Sequence, residues 1–132
     1  MNNYNIALFG GRGYVGQEII KLLDKHPLFF LKKAYSSSAY GKYIENYSKD
    51  KSLKFLKLDG NDIELDSIDI AILALPNNKS FEYVQKIKNA SSKIIILDLS
   101  SDHRFNDNWD YRIPEIQKTS AGQYISNPGC YA

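Results

Sequence analysis

Few residues in this chain can do chemistry. There is one cysteine, Cys130, and there are two histidines, His26 and His103. Only 3 of the 17 basic residues are arginine: Arg12, Arg104 and Arg112. Cys130 closes the run Asn127-Pro128-Gly129-Cys130, just after Tyr124–Ser126, which reads as a short strand. In an open parallel sheet that edge is where ligands sit. A helix starting at or just after Cys130 would stabilise a thiolate, the form that attacks an acyl carbon. A lone cysteine is also commonly a small buried hydrophobe, and position alone leaves both readings open. Arg104 lies in the loop after the strand Lys93–Leu99, with Ser100 and Asp102 nearby. The planar fork of arginine matches phosphate oxygens in a way lysine does not. The competing reading of Arg104 is a surface ion pair with an acidic neighbour. His26 reads as a helix end and His103 as loop; neither has metal-ligand spacing, and no metal is expected.

A second source of chemistry is backbone. Gly11-x-Gly13-x-x-Gly16 fits the dinucleotide fingerprint, and Gly10-x-x-Gly13-x-x-Gly16 fits its common variant. Such glycines permit a tight turn and let the backbone approach a pyrophosphate, whose charge the amides near Tyr14 and Val15 would bind. The end of the next strand holds Ser36-Ser37-Ser38, where a carboxylate would hold the ribose hydroxyl of NAD. Hydroxyls there, with Arg12, suit a 2′-phosphate, so NADP is the expected cofactor; the alternative is that the serines only make a turn.

These groups need positioning elements, and the hydrophobic pattern supplies them. Asn5–Phe9 is an apolar run ending at the glycines and reads as a buried strand. Val15, Ile19, Leu22 and Leu23 recur at helical spacing, and the helix should stop by His26 because Pro27 follows. Phe29–Tyr35, Ile68–Leu75 and Lys93–Leu99 are further apolar strands. Ser80 reads as the cap of a helix carrying Phe81, Val84 and Ile87 on one face. Residues 39–61 mix tyrosines and lysines and read as a loop with a solvated edge strand rather than a single-strand nucleic-acid surface. Strands apolar throughout, alternating with amphipathic helices, call for an α/β fold: a doubly wound, mostly parallel Rossmann-type sheet with helices on both faces.

Composition narrows the classes. At 132 residues and 43% hydrophobic, the chain is expected to form one domain, residues 1–132, around one core. A net charge of +2 is a weak footprint for nucleic acid, which is not expected as a partner. Runs such as Ile94–Leu97 are too short to cross a bilayer, and the first apolar run reads as a strand rather than a leader. A cytoplasmic location without membrane partners is expected.

Five ordered motifs together resemble the N-acetyl-gamma-glutamyl-phosphate reductase family of arginine biosynthesis. They are Gly10–Glu18, Ala74-Leu75-Pro76, Asp98–Phe105, Tyr111–Glu115 and Asn127–Ala132, the last being the most specific. The resemblance implies that Cys130 attacks the acyl phosphate of N-acetylglutamyl phosphate, that phosphate leaves, and that NADPH reduces the thioester to the semialdehyde. It places Pro76 on the cofactor side, and Arg104, Ser100 and Asn127 on the substrate side. Members are homo-oligomers and carry a second domain after the cysteine, with a catalytic histidine and most of the dimer contact. The chain ends before that domain and is expected to be inactive alone. Asn77 and Asn78 stand where the family usually has histidine and glycine, and Ser38 where it commonly has arginine. Aspartate-semialdehyde dehydrogenase shares the chemistry, but usually has asparagine where Gly129 stands. A reductase of carrier-bound aminoadipyl phosphate and a non-catalytic nucleotide-binding module are also compatible with these motifs.

Overall fold

The computed structural model describes residues 2–58, 63–113 and 122–129. Four central strands, β1 (Tyr4–Phe9), β2 (Phe29–Ser36), β4 (Ile70–Leu73) and β5 (Ile95–Asp98), are flanked by three short ones. These are β3 (Leu56–Lys57), β6 (Asp110–Tyr111) and β7 (Tyr124–Ser126). The sheet order is β3-β2-β1-β4-β5-β7-β6, and every strand pair is parallel. β6 carries too little apolar pattern in two residues to be read from the sequence.

Successive side chains of a strand point to opposite faces. In β1, Ile6 and Leu8 pack with Ile20 and Leu23 of helix α1 (Tyr14–Lys25). Ala7 and Phe9 pack instead with Tyr83, Val84 and Ile87 of helix α2 (Ser80–Ala90). All four strand residues are 0% exposed, so β1 has no polar face and reads as one apolar run. The two helices therefore lie on opposite faces, as doubly wound topology requires. From β1 the chain builds outward through β2 and β3, then returns to place β4 and β5 on the other side. The strand order reverses between β1 and β4, and a ligand crevice is expected outside the carboxyl ends of those strands.

Three local expectations need correction. Residues 39–55 are not simply a solvated loop: Ala39, Ile44, Tyr47 and Phe55 are buried against the α1 face. Their spacing follows neither helix nor strand period, so periodicity cannot find them. Tyr47 adds packing area and its hydroxyl accepts the Leu31 amide at 2.8 Å, beside the bulge that leaves Lys32 opposite no residue of β1. Lys49 then ties this segment to the end of α1, donating to the carbonyls of Leu23, His26 and Phe29. Second, Ser80 is the first residue of α2 rather than its cap; its hydroxyl turns inward to Asp98 at 3.0 Å. The start of α2 is met by Asp102, which accepts the Ser80 amide at 3.0 Å and, just ahead of the helix, the Asn78 amide at 2.7 Å. Third, Phe81 is half exposed, while Tyr83 joins Val84 and Ile87 on the buried face.

Candidate functional site

The glycines of the β1–α1 turn divide into two kinds. Gly10 has φ +89°, and a Cβ there would lie 2.4 Å from the Ala74 carbonyl oxygen. Only glycine lets β1 and the end of β4 approach so closely at the reversal point. A Cβ on Gly16 would meet the Gly10 carbonyl oxygen at 2.4 Å, so this glycine seats α1 on the turn. Gly11 is buried under Phe55, whose Cε1 would be 2.8 Å from an added Cβ. Gly13 differs: its nearest neighbour to a Cβ is 3.9 Å away, and it opens on the crevice. The turn is held from beneath by the Tyr35 carbonyl, which accepts the amides of Gly10 at 2.9 Å and Gly11 at 3.1 Å. The first-turn amides of α1 have no carbonyl within the helix to donate to, and Gly13 offers no side-chain cap. Those donors and the positive end of the helix are left for an anion.

A crevice of about 370 Å³ runs along this turn. Gly10, Arg12, Gly13, Tyr14, Val15, Ser36, Ser37 and Pro76 line it, whereas Gly11 and Gly16 support it from behind. Tyr14 and Val15 are exposed apolar side chains at its lip. Arg12 reaches across to Ser38, Nη1 lying 3.5 Å from the hydroxyl. The serines are unequal: Ser36 is buried and accepts the Ala39 amide at 3.0 Å, so it makes the turn, while Ser37 and Ser38 are exposed. The crevice continues toward α2 into a second hollow bordered by Lys79 and Lys86.

The expected substrate-side residues cluster at the ends of β5 and β7. Arg104 donates from Nε to the Asn127 carbonyl at 3.0 Å and from Nη2 to the Leu99 carbonyl at 3.4 Å. A Cβ on Gly129 would stand 3.1 Å from its Nη1, so the glycine before Cys130 makes room for the guanidinium. Among the described residues Arg104 forms no ion pair. Asn127 turns its side-chain amide to the Pro128 carbonyl at 3.1 Å. Ser100 is 4% exposed and its hydroxyl is engaged by Asp98, Ser80 and the Asp102 amide, so it braces the loop from inside. Cys130 lies outside the described residues, as do Pro114 and Glu115.

Sequence reasoning passed over one group here. Asp98 is fully buried and accepts from the Ser80 hydroxyl, the Ser100 amide and hydroxyl, and His103 Nδ1 at 2.6 Å. His103, read from the sequence as loop, is 4% exposed and stacks on Trp109 with centroids 4.0 Å apart. The signal available was an acid and a histidine five residues apart around a turn, which no periodicity marks.

Among the described residues no group of three or more His, Cys, Asp or Glu is placed to hold a metal ion. No helix among them is long and apolar enough to cross a membrane.

A parallel sheet that reverses at a glycine-lined crevice, with a helix N-terminus aimed into it, defines a dinucleotide-binding domain of Rossmann type. Residues 5–124 match the family described as "Semialdehyde dehydrogenase, NAD binding domain", and the chain belongs to that family. The N-acetyl-gamma-glutamyl-phosphate reductase of Xanthomonas axonopodis pv. citri is 39% identical over 131 residues, covering 96% of this chain and 42% of the relative. The "Bifunctional protein argC, mitochondrial" of Dictyostelium discoideum is 37% identical, covering 99% of this chain and 16% of the relative. The chain thus spans less than half the length of either. In fold it resembles aspartate semialdehyde dehydrogenase II of Vibrio cholerae, with TM-score 0.78 and 19% identity over 98% of this chain and 43% of that one. The NADP complex of the Candida albicans enzyme gives TM-score 0.71 and 18% identity over 86% of this chain and 34% of that one.

Proposed function

We propose that residues 1–132 are the dinucleotide-binding share of an NADPH-dependent reductase of N-acetylglutamyl phosphate, acting in the cytoplasm. The observation that carries this reading is the placement of Arg104. Its guanidinium, without a carboxylate partner among the described residues, lies on the Asn127–Gly129 backbone that leads into Cys130. A phosphate-matching cation is thereby set beside the segment bearing the sole thiol, on the same sheet edge as the crevice.

The crevice fits a dinucleotide on its own geometry: a turn that admits no Cβ at Gly10, open space at Gly13, and unmet amides at the α1 start. Gly13, Tyr14 and Val15 would hold the pyrophosphate, Arg12 and Ser38 a ribose 2′-phosphate, and Pro76 the wall on the nicotinamide side. When bound, NADPH supplies hydride to the acyl carbon. The Cys130 thiolate first attacks that carbon; a C–S bond forms, the C–O bond to phosphate breaks, and Arg104 takes up the charge of the leaving phosphate. Once the acyl carbon is reduced, breakage of the C–S bond would release the semialdehyde and return the thiolate to Cys130. The part of the curated relatives beyond the region that this chain matches is proposed to complete the substrate site and the oligomer contact.

Calorimetric titration of the 132-residue chain with NADPH and NADH, paired with iodoacetamide labelling of Cys130, tests the reading. Tighter binding of NADPH and a thiol that reacts readily at neutral pH are expected. An unreactive thiol in a chain that still binds NADPH would leave only a nucleotide-binding module.

A further inference from the structure

The loop that carries Arg104 has little secondary structure of its own. Its backbone bonds are turn contacts: Arg104 N to Ser101 O at 3.3 Å, Asn106 N to His103 O at 3.3 Å and Trp109 N to Asn106 O at 2.9 Å. Contacts of this kind do not fix the direction of an arginine side chain. Besides Ser100, two ring side chains of the loop reach inward and are buried, His103 and Trp109. Their rings stack on each other, and Phe81 of α2 also lies against His103, with centroids 4.8 Å apart. The Nδ1 of His103 meets Asp98 at 2.6 Å, and Asp98 is itself held by Ser80 and Ser100. The residue next to Arg104 is thus locked by a hydrogen bond, by stacking and by burial, while Arg104 points the other way, onto Asn127 and Gly129.

We infer that His103 is a positioning residue for Arg104: its bond to Asp98 and its stack on Trp109 fix the loop so that the guanidinium stays against the Asn127–Gly129 backbone. The inference rests on the proposed role of Arg104 beside the thiol. It needs a donor at the Nδ1 position, because the fully buried Asp98 carboxylate would otherwise lose one of its partners and pull the loop toward other donors. A phenyl ring fills the same space and stacks equally well but donates nothing. An asparagine amide reproduces the Nδ1 donor without the ring.

The test uses the whole 132-residue chain and measures the rate of Cys130 alkylation by iodoacetamide between pH 6 and 9. Trp109, the only tryptophan, reports the state of the loop through its emission. Arg104→Gln is expected to slow alkylation about tenfold at pH 7, because a cation near a thiol favours its reactive form. His103→Phe is expected to match that slowing and to melt at a lower temperature, still cooperatively, because Asp98 loses a donor, while NADPH affinity remains close to the parent. His103→Asn is expected to recover most of the lost rate. Should His103→Phe lose its cooperative melt, His103→Gln decides, since its amide sits one atom too far out to replace Nδ1; it is expected to react at the Arg104→Gln rate. Parent-like alkylation in His103→Phe beside a slow Arg104→Gln overturns the positioning role and leaves the proposed function standing. Parent-like alkylation in Arg104→Gln overturns both.

Discussion

The crevice along the β1–α1 turn and the cluster at the ends of β5 and β7 are built by opposite means. The first is made by what side chains leave out. At Gly10 and Gly16 any Cβ would run into backbone, and the binding groups are amides and a helix end. The second is made by what side chains put in: Asp98, Ser80, Ser100, His103 and Asp102 form one buried or half-buried polar unit, and Arg104 projects from it. A backbone-built site tolerates little change in shape but has few charged parts to lose. A side-chain-built site depends on every donor and acceptor being met.

The contrast can be broken at several points. Gly10→Val should have the largest effect, because the left-handed φ and the 2.4 Å approach to the Ala74 carbonyl both oppose it. A loss above about 4 kcal/mol, enough to abolish a cooperative urea transition, is expected. Asp98→Ala follows: it strands buried hydroxyl and imidazole donors and should cost about 3 kcal/mol in the same measurement. Gly13→Ala sharpens the comparison. Its φ is −63° and a Cβ there is in open space, so stability should change by no more than about 0.5 kcal/mol, while NADPH affinity measured by calorimetry should fall about tenfold. That outcome would separate Gly13, proposed to serve the ligand, from Gly10 and Gly16, whose shape serves the fold.

The smallest effect concerns acid stability at the sheet edge. Asp110 accepts from Arg112 at 2.6 Å and from the Gly122 amide at 3.0 Å, and these bonds hold its carboxyl below its ordinary value of 3.8. A carboxyl depressed on folding stabilises the fold above its unfolded pKa, and that contribution fades as pH falls through the lower folded value. Asp110→Asn should therefore flatten the loss of stability below about pH 4 and leave the slope near neutrality unchanged, as read from urea midpoints across pH.

The same contrast explains what the sequence showed. Glycines at 10, 13 and 16 between an apolar run and a helical period are legible, because the reason for each is backbone geometry. So are the central strands, buried on both faces, and the existence of both helices, although α1 buries Gly16, Ile20 and Leu23 and leaves Val15 and Leu22 of its expected stripe exposed. Hidden from it were contacts whose partners lie far apart or off any period. Tyr47 accepts an amide 16 residues earlier in the chain, and Lys49 gathers carbonyls from the end of α1. His103 looked like a loop residue because nothing in its neighbours' polarity announces burial. Ser80 has the right residue type for a cap, yet the task went to Asp102, and Ser80 turned inward to a carboxylate that only the sheet brings near.

That exchange has a consequence for how the chain comes together during synthesis. Helix α2 cannot supply its own start: the carboxylate that receives its first amide is made 22 residues after Ser80, once β5 and the following turn exist. A nascent polypeptide halted on the ribosome before Asp102 emerges would hold α2 frayed at its leading end, and the helix would close only when the later stretch folds back over it.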